Sequence, residues 1–307
     1  MSPPVTTVPP LPVRRLADWA GSATLLRRLA IASVVVNVAI IVTGGAVRLT
    51  NSGLGCPTWP RCSADQLVPN GKLGVHGVIE FTNRTLTFVV GLTLLATLLV
   101  AWRQRRHAGL ALVALLGVPA QAVLGGIVVL TDLNPWLVAG HFLVSAAMVA
   151  ITFLLWWRVS EQPAALVPAP VRLLAAGLAA VTALVLVAGT VVTGAGPHAG
   201  DLKHGKVHRI DLPIVGLAQL HADLVMVLIG LTVGVLAAGY AIGSSLLRRA
   251  ALLLLAIELA QGVIGYTQYF LHVPPLLVAF HMLGACLVWL AALRVLLLVT
   301  ARRGISA

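Results

Sequence analysis

The chain has 307 residues, 59% of them hydrophobic and only 10% charged, with a formal net charge of +12 and a mean hydropathy of +0.99. Such a composition lies far outside the soluble globular range and supplies apolar stretches of bilayer length, so a soluble enzyme is excluded and an integral membrane protein is expected. The basic excess flanks the apolar stretches, which marks it as a topology signal and excludes a nucleic-acid-binding reading.

In chain order, residues 1–28 read as a disordered cytoplasmic tail. It is Pro-rich, uncharged up to Arg14 and unlike a cleaved signal or transit peptide. Eight spans follow, at about 29–47, 77–101, 108–130, 137–157, 172–193, 213–240, 250–270 and 276–299. Arg14, Arg15, Arg27, Arg28, Arg103, Arg105, Arg106, Arg158, Arg172, Arg248, Arg249, Arg302 and Arg303 flank one set of span ends. The opposite loops hold only Arg48, Arg61, Lys72, Lys203, Lys206 and Arg209. The positive-inside rule then makes both termini cytoplasmic. The expected fold class is an all-α integral membrane protein with two pseudo-symmetric four-helix bundles, over 29–157 and 172–299, joined by a cytoplasmic linker at 158–171 and followed by a cytoplasmic tail at 300–307. The preference for arginine over lysine, with abundant Ala and Val, points to GC-rich bacterial coding and a bacterial plasma membrane.

The first outward loop, GLGCPTWPRCSAD, places Cys56 and Cys62 in an oxidising compartment, where a disulfide is expected and two free thiols are the alternative. Cys286, in span eight, reads as packing. Span two then presents His76, Glu80, Asn83, Arg84 and Thr87 on one helical face. A carboxylate and an arginine one turn apart suit either a substrate site or a self-neutralising ion pair.

Residues 120–143 and 260–283 align without a gap, with ten identities in 24 positions where this composition gives roughly two or three by chance. The alignment matches Gln121, Gly125, Pro135 and His141 with Gln261, Gly265, Pro275 and His281, which implies two similar halves. His141, His221 and His281 lie six, eight and six residues past Pro135, Pro213 and Pro275, hence about 9 to 12 Å into the membrane from the outer face. A lone histidine on an apolar helix is most often a hydrogen-bonded core residue. Three at matched depth suit haem iron, with His221 and His281 reaching opposite faces of one porphyrin. In the first half, the position matching His221 falls near Asn83.

The third outward loop, TGAGPHAGDLKHGKVHRID, carries His198, His204 and His208 with Lys203, Lys206 and Arg209. These basic groups suit haem propionates, or simply a solvated loop, and the histidine spacing fits no standard metal site. On span seven Glu258, Gln261, Gly265 and Gln268 recur at helical spacing, as interior hydrogen-bonding groups or, for Glu258, as a group that moves protons. Gly125, Gly126, Gly262 and Gly265 allow close helix approach or room for a flat ring.

The loop GGAVRLTNSGLGCPTWPRC, the IEFTNR segment, the GHF and FHM histidines and TGAGPHAGD together resemble the haem A synthase family, across nearly all of residues 29–299. The resemblance implies oxidation of a methyl group of haem O to the formyl group of haem A. It implies haem b as cofactor between His221 and His281. It also implies haem O as substrate in the first half, with Glu80 as catalytic carboxylate, His141 as a substrate-haem ligand and His76, Asn83 and Arg84 on the substrate side. Cys56 and Cys62 match the family's first-loop cysteine pair, and the enzyme that makes haem O is the implied protein partner. Two departures stand out. Many members carry a histidine where this chain has Asn83, which leaves His76 as an alternative ligand, and the third outward loop lacks the cysteine pair that some members have. Two other readings remain open from the residues: a cytochrome b-like dihaem subunit oxidising quinol, which wants four axial histidines, and a haem transporter.

Overall fold

The computed structural model describes residues 22–69, 73–201 and 207–300. Hydrocarbon offers no partners to backbone amides, so each apolar stretch satisfies its own hydrogen bonds as a helix. Eight helices of spanning length result: α1 Ala23–Leu49, α2 Gly74–Arg103, α3 Ala108–Leu130, α4 Pro135–Val159, α5 Ala169–Ala195, α6 Ile214–Ala241, α7 Ser245–Phe270 and α8 Pro275–Thr300. Each predicted span coincides with one helix, ends agreeing within a few residues, and the chain is a multi-pass membrane protein.

Local chemistry sets the helix starts. Asn134 caps α4, its Oδ1 accepting from the amides of Trp136 and Leu137 at 3.0 and 3.4 Å, with Pro135 pre-set for the first turn. Ser244 caps α7 by accepting from Leu247 N–H. The 30 residues of α2 extend about 45 Å, longer than a hydrocarbon core of about 30 Å, so its ends rise beyond the apolar layer.

Helices α1 to α4 pack as one ring in which each touches its neighbours and α4 closes back on α1; α5 to α8 form a second ring closed by α5 and α8. The rings meet through α1, α4, α5 and α8. The largest buried cluster runs along the second ring and this seam, with Val34, Phe153, Trp157, Leu178, Leu228, Leu254 and Val295. Polar ties cross the seam as well: Trp289 Nε1 donates to Ala146 O at 2.9 Å, and Ala165 N to Leu298 O at 2.7 Å. The outer surface presents large apolar groups such as Phe88 and Phe270, as a lipid-facing surface must. Cys286 is buried near Ile41 and Val149, in the packing role expected of it.

One end of the bundle carries the long connections 50–73 and 196–213, together with the short ones 131–134 and 271–274. The other end carries 104–107, 160–168 and 242–244. At this second end Glu161 pairs with Arg106 at 2.6 Å and Arg27 at 3.8 Å, while Arg27 Nε donates to Val159 O.

Candidate functional site

The two long connections fold over the end of the bundle that holds every candidate residue. Glu80, 5% exposed, is the buried anion of α2. Its Oε2 accepts from the amide of Cys56 at 2.7 Å, and its Oε1 is held by Arg84, one turn on. Arg84 continues into the loop, donating from Nη1 to Thr58 O at 2.9 Å and Arg61 O at 3.4 Å, and from Nη2 to Cys56 O at 2.9 Å. The pair is therefore more than self-neutralising: it clamps the loop that contains the Cys56–Cys62 disulfide. Gly55 makes this seat possible, since a Cβ there would lie 2.3 Å from the carbonyl oxygen of His76. Trp59 covers α3 at Gly126, where a Cβ would sit 2.6 Å from the indole. His76 is engaged at this rim, its Nδ1 2.9 Å from Ser52 Oγ.

Deeper in the rings, each candidate histidine lies against a glycine of the preceding helix. A Cβ at Gly125 would come 3.2 Å from Cε1 of His141, one at Gly189 3.3 Å from Cε1 of His221, and one at Gly265 3.5 Å from Cε1 of His281. The Nδ1 atoms of His141 and His281 are buried and unpaired, while the His221 imidazole lies within reach of the Val185 backbone carbonyl. His221 and His281 face one another across the second ring with ring centroids 6.5 Å apart and planes at 72°. The fourth position of this kind is Asn83, whose Nδ2 would lie 3.7 Å from a Cβ on Gly44 of α1 and whose Oδ1 accepts from Thr43 at 2.7 Å.

The described part of the 196–213 connection is knitted to the first half through its backbone. Arg48 donates to His198 O at 2.6 Å and Thr193 O at 2.9 Å, Gly53 N–H to Gly200 O at 2.8 Å, and Arg209 to Pro197 O at 2.8 Å. His198 Nε2 meets Val273 O at 2.7 Å. Lys72, Lys203, His204 and Lys206 lie outside the described residues. Among the described residues, no group of three or more His, Cys, Asp or Glu is arranged to hold an ion.

Inside the rings, Glu258 is buried and accepts from Thr232 of α6 at 2.8 Å, while its Oε2 has no partner. Gln121 donates to His141 O at 3.1 Å and to Ser145 Oγ at 2.5 Å, tying α3 to α4 directly below the imidazole. Its counterpart Gln261 packs on Gly284 of α8 with its Oε1 buried and unpaired, so the interhelical hydrogen bond is seen for Gln121. Sequence reasoning passed over Gly44, Thr43, Gly189, Trp59 and Arg48 as participants. For the two glycines a signal existed, because VTGGAV at 42–47 and VAGTVV at 187–192 are a second, weaker repeat.

Comparison with known proteins follows the same residues. A family model described as COX15-CtaA, cytochrome oxidase assembly protein, matches residues 27–201, which take in the first ring, its disulfide loop and α5. A heme A synthase of Exiguobacterium sibiricum is 32% identical over 166 residues, 51% of this chain and 55% of that protein. Its namesake from Geobacillus kaustophilus is 32% identical over 121 residues, 38% of this chain and 37% of that protein. The one from Lysinibacillus sphaericus is 33% identical over 141 residues, 44% and 45% of the two chains. The chain spans about half the length of the curated relatives it matches. On the extent of the family match, which includes the loop, its carboxylate–arginine clamp and His141, the chain belongs to the COX15-CtaA family of cytochrome oxidase assembly proteins.

Proposed function

We propose that the protein is a haem A synthase, oxidising a peripheral methyl group of haem O to the formyl group of haem A by two hydroxylations and loss of water. The second ring holds haem b between His221 and His281, and the first ring holds haem O at His141. The long loops face the extracytoplasmic side of a bacterial plasma membrane, in keeping with the arginine distribution along the chain.

The observation that carries this reading is the His221–His281 pair. Two imidazoles on opposite sides of one iron would have centroids separated by twice a metal–nitrogen bond of about 2.0 Å plus twice a nitrogen-to-centroid distance of about 1.1 Å, or roughly 6.2 Å. The rings are 6.5 Å apart, with glycine at their backs. Neutral imidazoles on facing helices are a membrane bundle's usual means of holding haem. A haem held there by His221 and His281 would supply electron transfer.

The chain's own groups divide the remaining work. His141 holds the substrate, and Glu80 takes a proton or orients water as charge develops at the reacting carbon, in a setting whose low dielectric strengthens the effect. Arg84 and the Cys56 amide fix that carboxylate's position. The covering loop and Trp59 exclude bulk water from the outer end of the first ring. The enzyme that makes haem O is the partner this activity calls for. A dihaem quinol-oxidising subunit lacks its fourth imidazole at Asn83, and a transporter has no use for the saturated iron of the second ring.

Extraction and chromatography of the haems in the purified protein test the assignment. Haem b with haem O, haem A or a hydroxylated intermediate is expected; two b haems, or colourless protein after expression with ample iron and porphyrin, refute it. Glu80→Ala should retain the b-haem spectrum and lose product, whereas His221→Ala or His281→Ala should lose the b-haem signal.

A further inference from the structure

We propose that the first ring leaves the iron of its substrate haem five-coordinate, held by His141 alone, with Asn83 filling the place of the fourth axial imidazole as a non-ligand. This inference rests on the reading of the first ring as the haem O site.

Several side chains lie against a glycine of the preceding helix, Met148 on Gly117 and Arg248 on Gly239 among them; toward the end that carries the long connections four do so, Asn83 on Gly44, His141 on Gly125, His221 on Gly189 and His281 on Gly265. In each ring, one such pair joins the first helix to the second and the other joins the third to the fourth. The second ring fills both places with imidazoles. The first ring fills only one, and the place equivalent to His221 holds a carboxamide.

That carboxamide is unsuited to iron in three respects. It ends two bonds beyond Cβ, where the Nε2 of histidine is three bonds out. Its nitrogen has no free lone pair to donate. Its oxygen is already engaged, accepting from Thr43 Oγ1 at 2.7 Å, on the residue next to Gly44. The amide is thereby turned toward α1, with Nδ2 near Gly44.

Among the described residues no other group replaces it. His76 lies two turns along α2 from Asn83, about 10 Å away along the helix axis. Its ring is engaged by Ser52 Oγ and its carbonyl lies beneath Gly55, so it belongs to the rim. Glu80 has both oxygens committed, one to Arg84 and the other to the Cys56 amide. The face of the substrate haem opposite His141 is therefore open to a small exogenous ligand, while the second ring's haem is closed on both faces. The asymmetry separates a reactive haem from an electron-carrying one.

The test uses the full chain, expressed with a haem O supply and purified in detergent, with haems identified by chromatography. Low-temperature EPR of the ferric protein and the carbon monoxide difference spectrum of the dithionite-reduced protein are then recorded. A high-spin ferric signal and a CO band are expected, both surviving His221→Ala and both lost in His141→Ala. Asn83→Ala should keep them, and Asn83→His should convert the signal to low spin and abolish the CO band. Wild-type haem O that is wholly low-spin and inert to CO overturns the inference, as does a high-spin signal that appears only after His76→Ala. The wild-type spectra decide even if Asn83→His fails to accumulate. Absence of haem O, haem A and any hydroxylated intermediate from the wild-type protein overturns the underlying functional reading and this inference together, whereas a bound substrate or product haem that is wholly low-spin overturns this inference alone.

Discussion

Replacing Arg84 by methionine keeps the helix and most of the side-chain volume but removes every charged contact in the clamp. In the native protein this guanidinium bonds Glu80 and the carbonyls of Cys56, Thr58 and Arg61. The side chains of Arg84 and Glu80 are 19% and 7% exposed, so solvent screens little of the loss. Removing one partner of a buried ion pair costs about 3–5 kcal/mol, less whatever the stranded carboxyl recovers by taking up a proton. Because the lost bonds run to the 50–73 connection, the cost falls on local opening of that loop and not on the helices. At about 1.4 kcal/mol per tenfold, the open population rises by some two to three orders of magnitude. Disulfide accessibility reads this directly: the rate at which a water-soluble phosphine reduces Cys56–Cys62, followed by maleimide mass labelling, should rise by a comparable factor in Arg84→Met. Glu80→Gln keeps one acceptor oxygen, for either the Cys56 amide or Arg84, and leaves the bonds from Arg84 to the loop carbonyls in place, so its rate should rise less than in Arg84→Met. Equal rates in wild type and Arg84→Met would show that the clamp does not hold the loop, and the account of Glu80 as a positioned carboxylate would fall with it.

Three further outcomes follow from the same coordinates. Gly55→Ala drives a Cβ to within 2.3 Å of a backbone oxygen that cannot swing aside, so it should lift the loop at a cost of about 1–3 kcal/mol and speed disulfide reduction without touching a charged group. Gly265→Ala adds a methyl at ordinary contact distance, 3.5 Å from the His281 ring, and should keep the haem spectrum, whereas Gly265→Leu must displace the imidazole and abolish the low-spin signal, read optically. At the opposite end, Arg106 holds the Glu161 carboxyl below its usual range, first by hydrogen bonding and then by charge. A lowered folded-state pKa contributes stability above the ordinary carboxylate range that disappears as pH falls through the depressed value. With the Glu161 side chain 63% exposed the effect is small. Melting curves of wild type and Glu161→Gln should therefore differ slightly at pH 7 and converge in acid.

The gap-free repeat of 120–143 and 260–283 made His141 and His281 legible as equivalents, because one helix–turn–helix segment carries glutamine, glycine, proline and histidine at fixed spacing. Cys56 and Cys62 were legible too, since a six-residue separation with two prolines between them brings two thiols together locally. The dual role of Glu80 and Arg84 was only half legible. Helical spacing announces the i,i+4 pair, but the loop carbonyls that Arg84 binds lie 23 to 28 positions earlier and leave no periodic trace. The loop basics read as propionate donors are in part committed elsewhere, Arg209 to Pro197 and His198 to Val273, because backbone carbonyls released by irregular turns must find donors.

What the amino-acid order determines unaided is the number and extent of the membrane passes, because in hydrocarbon each segment must satisfy its own backbone and hydropathy along the chain registers that requirement directly. Matched depth already suggested that His221 and His281 share one porphyrin; how closely they approach, and which glycine backs each, follows only from the closure of α1 to α4 and α5 to α8 into rings, since a helix's contacts depend on the neighbour that packs against it and not on its own pattern. That closure puts His221 opposite His281 and gives Asn83 the place of a missing fourth imidazole.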